Sequence, residues 1–94
     1  MQYPRILKAK AVNDYTLLIE FSDGEVKEYT IRHLLAKPMF SALKQPAFFK
    51  NFQVEPGGYA LVWNEDIDIS EYELWKNGVA VTSHEKLFDS AAGT

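Results

Sequence analysis

A chain of 94 residues, 47% apolar and 24% charged, has the make-up of one folded domain that can bury roughly 60 to 65% of its unfolded surface. That composition excludes disorder through low hydrophobicity. The lack of cysteine excludes disulfides, thiolate zinc sites and cysteine nucleophiles, and the formal charge of -3 argues against general nucleic-acid binding.

The N-terminus, Met1-Gln2-Tyr3-Pro4-Arg5, has no apolar core of a secretory signal. No run approaches the ~20 apolar residues needed to span a bilayer, so a cytoplasmic protein is expected. Arg5 to Val12 then alternates as a half-buried strand, with Leu7, Ala9 and Ala11 opposed to Lys8 and Lys10. Asn13-Asp14, residues that tolerate left-handed φ, are expected to turn the chain back onto a second strand over Thr16 to Phe21.

Tyr15 to Ile31 reads as a β-hairpin reversing at Asp23-Gly24, where glycine can take the positive φ of a tight turn. A two-residue turn sets Phe21 against Val26 and Glu20 against Lys27, matching apolar with apolar and opposite charges. A three-residue loop sets Phe21 against Glu25 and Glu20 against Val26, the poorer pairwise match. Of the cations, Arg5, Lys8, Lys10 and Lys27 are expected on a solvated strand edge that discourages aggregation.

Ile31, Leu34 and Leu35 form an apolar stripe on a short helix that Pro38 stops. Pro38 opens a second short helix carrying Met39, Phe40 and Leu43, which Pro46 ends. Ala47-Phe48-Phe49 supplies one further turn. Phe52 and Val54 begin a fourth strand, Pro56-Gly57-Gly58 reverse it, and Tyr59 to Trp63 return as a fifth. Ser70 and Glu73 have the spacing of a capping box, which predicts a helix carrying Tyr72, Leu74 and Trp75 and ending at Asn77-Gly78 in left-handed φ. Val79 to Val81 reads as a short extension or strand, and Thr82 with Glu85 repeats the capping-box spacing.

Pro4-Arg5, Asp14-Tyr15-Thr16-Leu17-Leu18, Phe21-Ser22-Asp23-Gly24-Glu25, Ile31 with Leu34-Leu35, Phe40, Leu43, Pro46, Phe49, Val54 and Trp63 stand in an order that resembles a bacterial family, domain of unknown function 2442. After Trp63 the chain departs from the family pattern, with Asn64-Glu65-Asp66-Ile67-Asp68-Ile69-Ser70 where the family has a proline-containing turn. The resemblance implies a small α+β fold and no established activity. It also implies a setting in a two-gene, toxin-antitoxin-like arrangement, or kinship to regulators that carry a helix-turn-helix after this domain. That DNA-binding half is expected to be absent here.

Catalytic chemistry has no motif to rest on. Glu65, Asp66, Asp68, Glu71 and Glu73 cluster as hard cations require, but Glu71 stands where a calcium loop needs glycine and Asn77 where it needs glutamate. The carboxylates instead suit a helix N-terminus. His33 and His84 lack the spacing of a metal pair and read as surface or capping residues. No catalytic, cofactor or metal residue is therefore assigned. Tyr59, Trp63 and Trp75 are the candidate partner surface, since such rings dominate protein interfaces; the competing expectation for the tryptophans is a place in the core.

The expected architecture is α+β, an antiparallel meander of hairpins with two or three short helices packed on one face. It forms a single domain over residues 1–81, with a partly disordered C-terminal extension over 82–94. The expected function is a non-catalytic binding module for a protein partner or a second copy. The alternatives are the sensing or dimerising part of a helix-turn-helix regulator and, last, a metal-dependent enzyme.

Overall fold

Two antiparallel sheets and four short helical segments are seen in the computed structural model, which describes residues 3–81. Strands β1 (Ile6–Ala11), β2 (Thr16–Phe21) and β3 (Val26–Thr30) form a meander, and β7 (Val79–Ala80) adds to the far edge of β3. Strands β4 (Gln53–Val54), β5 (Ala60–Val62) and β6 (Asp68–Ser70) form the second sheet. Among the described residues no helix is long and apolar enough to cross a membrane. The capping-box spacing at Thr82 and Glu85, His84 and the extension over 82–94 lie outside the described residues.

The β2–β3 hairpin turns at Gly24, whose φ of 91° is the left-handed value its lack of a Cβ permits. Its register differs from the two-residue expectation. Leu17 pairs with Tyr29, Ile19 with Lys27 and Glu20 with Val26, and Ser22-Asp23-Gly24 form a three-residue loop. Phe21 N–H donates to the Glu25 carbonyl at 2.8 Å, Gly24 N–H to the Phe21 carbonyl at 2.9 Å, and Glu25 N–H to Asp23 Oδ1 at 3.0 Å. The reason is the face criterion. Cross-strand partners share a face, so this register puts Tyr29 beside Leu17, Ile19 and Phe21. The two-residue turn would have put Glu28 there and sent Tyr29 to the other side.

Asn13-Asp14 also turn differently from expectation. No described non-glycine residue has a positive φ; instead Asn13 Oδ1 accepts from Tyr15 N–H at 2.9 Å and Val12 N–H donates to the Thr16 carbonyl at 2.9 Å. At Leu7 the β1–β2 ladder shifts register.

Short helical segments follow from closely spaced prolines. Lys37 and Gln45, each preceding a proline, are extended, which bounds the segments on either side of them. The expected helices at Ile31 and Pro38 are 3₁₀ segments, Arg32–Leu34 and Pro38–Lys44. Pro46–Phe49 is a single α turn, α1, and α2 spans Glu71–Asn77. Ser70 caps α2 by accepting from Glu73 N–H at 3.1 Å. At its end Gly78 is extended and not left-handed; a Cβ there would lie 2.5 Å from the Leu74 carbonyl oxygen and 3.0 Å from Lys27 Cβ.

One core joins these parts. Leu17, Ile19, Phe21 and Tyr29 from the first sheet meet Leu61 and Ile69 from the second, together with Ile31 and Trp63 just beyond the strand ends and Leu34, Leu43, Phe49 and Leu74 from the helical segments. On the opposite face of the first sheet Leu18 and Val26 are also buried, within ladder rows shared with Lys8, Lys10, Glu20 and Glu28.

Candidate functional site

The aromatic residues expected to form one surface divide between surface and core. Trp63 is only 8% exposed. Its indole Nε1 donates to the Phe49 carbonyl at 2.7 Å, and its ring stacks on Phe49 at 6.3 Å between centroids. That buried hydrogen bond satisfies the one polar atom of the ring, so Trp63 serves the core and is removed from the partner surface. Trp75 is half-buried, edge-on to Phe21 at 5.3 Å, with Lys27 Nζ 3.8 Å from its ring centroid.

Tyr59 remains on the surface, as do two further tyrosines that the sequence did not suggest. Tyr3, Tyr59 and Tyr72 are 38, 46 and 39% exposed. Tyr3 meets Tyr72 edge-on at 4.8 Å between centroids. Glu71 N–H donates to the Tyr59 carbonyl at 2.9 Å, which fixes the start of α2 against the start of β5. Arg5 joins the group: its guanidinium lies 4.1 Å from the Tyr59 ring centroid and donates to the Gly57 carbonyl at 3.3 Å. Its own backbone N–H donates to Ser22 Oγ at 2.9 Å. The four cations expected on one edge are thus separated. Arg5 covers Tyr59, Lys27 reaches α2, and Lys8 and Lys10 share the outer ladder rows, Lys8 Nζ 3.5 Å from Glu20 Oε1.

A second feature lies where β3, the 3₁₀ segments, β6 and α2 meet. A hollow of about 360 Å³ is lined by Tyr29, His33, Leu34, Lys37, Phe40, Asp68, Ile69, Ser70 and Glu73. The Tyr29 phenol donates to Glu73 Oε2 at 2.7 Å and lies 3.3 Å from His33 Nε2. Because the phenol's one proton goes to the carboxylate, the His33 contact requires a proton on Nε2, donated to the phenol oxygen. Tyr29 and His33 also line a neighbouring hollow of about 260 Å³ with Thr16, Glu28, Thr30, Asn77 and Val79, so their contact stands between the two.

Burial first, and then the bond to Glu73, push the Tyr29 phenol well above its ordinary pKa. A phenol held protonated is a hydrogen-bond donor and not a nucleophile or base at neutral pH. In a full capping box Glu73 would reach back to the Ser70 amide; here its carboxylate is committed to Tyr29. Of the acidic run, Glu71 and Glu73 occupy the first turn of α2, Asp68 lies on β6, and Asp66 N–H and Ile67 N–H both donate to Asn64 Oδ1. Among the described residues no group of three or more His, Asp or Glu side chains is placed to hold a metal ion.

Tyr72 is not legible as a site residue, and Glu73 only as a member of the acidic run and the capping box. Tyr72 reads as an apolar helix member, and Glu73 meets Tyr29 across 44 positions of chain. The family model described as a protein of unknown function, DUF2442, matches residues 6–80. Neither the curated proteins nor the solved structures contain a match.

Proposed function

This chain belongs to the DUF2442 family, and we propose that it acts as a non-catalytic binding module that engages a protein, either a second copy or a small protein encoded beside it. The observation that carries this reading is the exposure of Tyr3, Tyr59 and Tyr72, with Tyr3 packed edge-on against Tyr72 and Arg5 over the Tyr59 ring. Tyrosine and arginine are enriched at interface hot spots because they offer large, stiff contact area with a polar tip. The main chain around them is held by the backbone bonds from Glu71 to Tyr59 and from Ile6 to Gly58, which limits the backbone ordering that association would require.

A cysteine-free composition suits a reducing bacterial cytoplasm as the place where the module works. Size-exclusion chromatography with light scattering, on the pure chain and on complexes recovered from its host, tests the proposal. Wild type is expected to self-associate or to retain one protein in stoichiometric amount, and the Tyr59→Ser, Tyr72→Ser double variant to lose it. A monomer without a protein ligand, or a complex indifferent to both substitutions, would reject the reading.

A further inference from the structure

We propose that the hollow between the 3₁₀ segments and α2 is a recognition pocket for a terminal organic cation, a primary ammonium or guanidinium on an aliphatic stem. This site is distinct from the tyrosine surface, and its test is independent of that one. Its volume, about 360 Å³, lies within the range of small-ligand clefts, roughly 300 to 1,000 Å³. Leu34 and Ile69, both buried, give it apolar lining, and Tyr29 and Phe40 contribute rings. An aliphatic stem is therefore accommodated without stranding a polar group.

The polar lining selects the charge. Glu73 has one carboxylate oxygen engaged by the Tyr29 phenol and its backbone N–H tied to Ser70; its other carboxylate oxygen has no hydrogen-bond partner among the described residues. The Asp68 carboxylate on β6 likewise has none among them. Lys37 is the only lysine or arginine in the lining, against the two carboxylates of Asp68 and Glu73. A carboxylate ligand would face two anions. A neutral apolar ligand would desolvate both carboxylates without replacing their hydrogen bonds. A cation satisfies them, and Glu73 is already oriented by a charge-assisted bond from Tyr29.

The chemistry is shared by two sources, a free amine or guanidine and a lysine or arginine side chain of a partner protein, and the experiment separates them. n-Butylammonium and n-butylguanidinium are titrated into the full chain while the backbone amides of Tyr29, Ser70 and Glu73 are followed by NMR, with n-pentanol and valerate as neutral and anionic comparisons. Saturable shifts with the two cations and none with the comparisons are expected. Asp68→Asn should weaken the apparent affinity about fivefold. Asp68 is exposed and makes no hydrogen bond among the described residues, so this variant keeps the fold, as an unchanged melting temperature will show. A capped Gly-Gly-Lys-Gly-Gly peptide binding more tightly than n-butylammonium identifies a partner's side chain as the source; weaker binding identifies a free amine. No saturable shift with either cation or the peptide, equal shifts with n-pentanol, or indifference to Asp68→Asn would overturn the proposal.

Discussion

Lys27 Nζ lies 2.6 Å from the carbonyl oxygen of Trp75 and 3.8 Å from the centroid of its ring, joining β3 to the last turn of α2. This contact depends on the hairpin register. Because Ile19 faces Lys27 and Leu17 faces Tyr29, both side chains emerge on the inner face, one meeting the end of α2 and the other Glu73 near its start. A lysine at this place donates to a carbonyl left without a partner at the helix C-terminus and complements the helix dipole.

Lys27→Met keeps the aliphatic stem and removes the charge and the donor. A loss of about 1 kcal/mol is expected from the combined hydrogen bond, dipole and cation–π terms. A urea unfolding midpoint that moves down with an unchanged slope checks it, and an unmoved midpoint would show the contact to be energetically idle.

Tyr29→Phe leaves Glu73 without its phenol and should cost about 1 kcal/mol at neutral pH. It also alters the alkaline limb. The folded-state pKa of Tyr29 is raised above its unfolded value, so its contribution is complete below the ordinary phenol value of 10.0 and is lost as pH rises towards the folded value, because the unfolded chain releases a proton that the folded chain keeps. Lys76, raised chiefly by the neighbouring Tyr72 phenol, acts in the same direction. The difference between wild type and Tyr29→Phe isolates the tyrosine: it should shrink above pH 10, and a constant difference contradicts the assignment.

Two glycines with positive φ should respond unequally to alanine. At Gly24 an added Cβ meets nothing within 4 Å, and only the backbone strain of a φ of 91° is incurred, about 1 kcal/mol. At Gly58, whose φ is 78°, the Cβ would stand 2.4 Å from the Ile6 carbonyl oxygen and 2.9 Å from Ile6 N. Backbone must move to relieve that, so Gly58→Ala should cost more than about 2 kcal/mol. Thermal or urea unfolding of the two variants side by side gives the order; equal losses would contradict the close approach of the two sheets at Ile6.

Local chemistry explains what was legible in the sequence. Asp23-Gly24, Pro38, Pro46 and the Ser70 cap act within a few residues, and each produced the turn, break or helix start that its side chain dictates. β6 escaped notice because Asp68-Ile69-Ser70 has one apolar residue, and it becomes a strand only by pairing Ile69 with Leu61. Cross-strand charge pairing does not reveal the hairpin register, because the face that Tyr29 must reach decides it. The hollow was illegible for the same reason at longer range. Tyr29, Asp68 and Glu73 are far apart in the chain except for the last two, and nothing local marks them as neighbours.

Trp63 provides a test of the division between core and surface. Trp63→Phe deletes the donor to the Phe49 carbonyl and part of a stacked, buried ring. It should destabilise by about 2 kcal/mol, whereas Trp75→Phe, at a half-buried site, should cost less. Chemical unfolding followed by circular dichroism ranks the pair, and the reverse order would return Trp63 to the surface.

The protein contact proposed at Tyr72 can be trapped where it forms. p-Benzoylphenylalanine placed at Tyr72, and separately at Val12, exposed just beyond the other end of β1 from Arg5, can be photo-activated in host cells. A defined covalent adduct with one protein or with a second copy from position 72, and none from position 12, is the predicted result. No adduct at 72, or the same adducts from both positions, would contradict it.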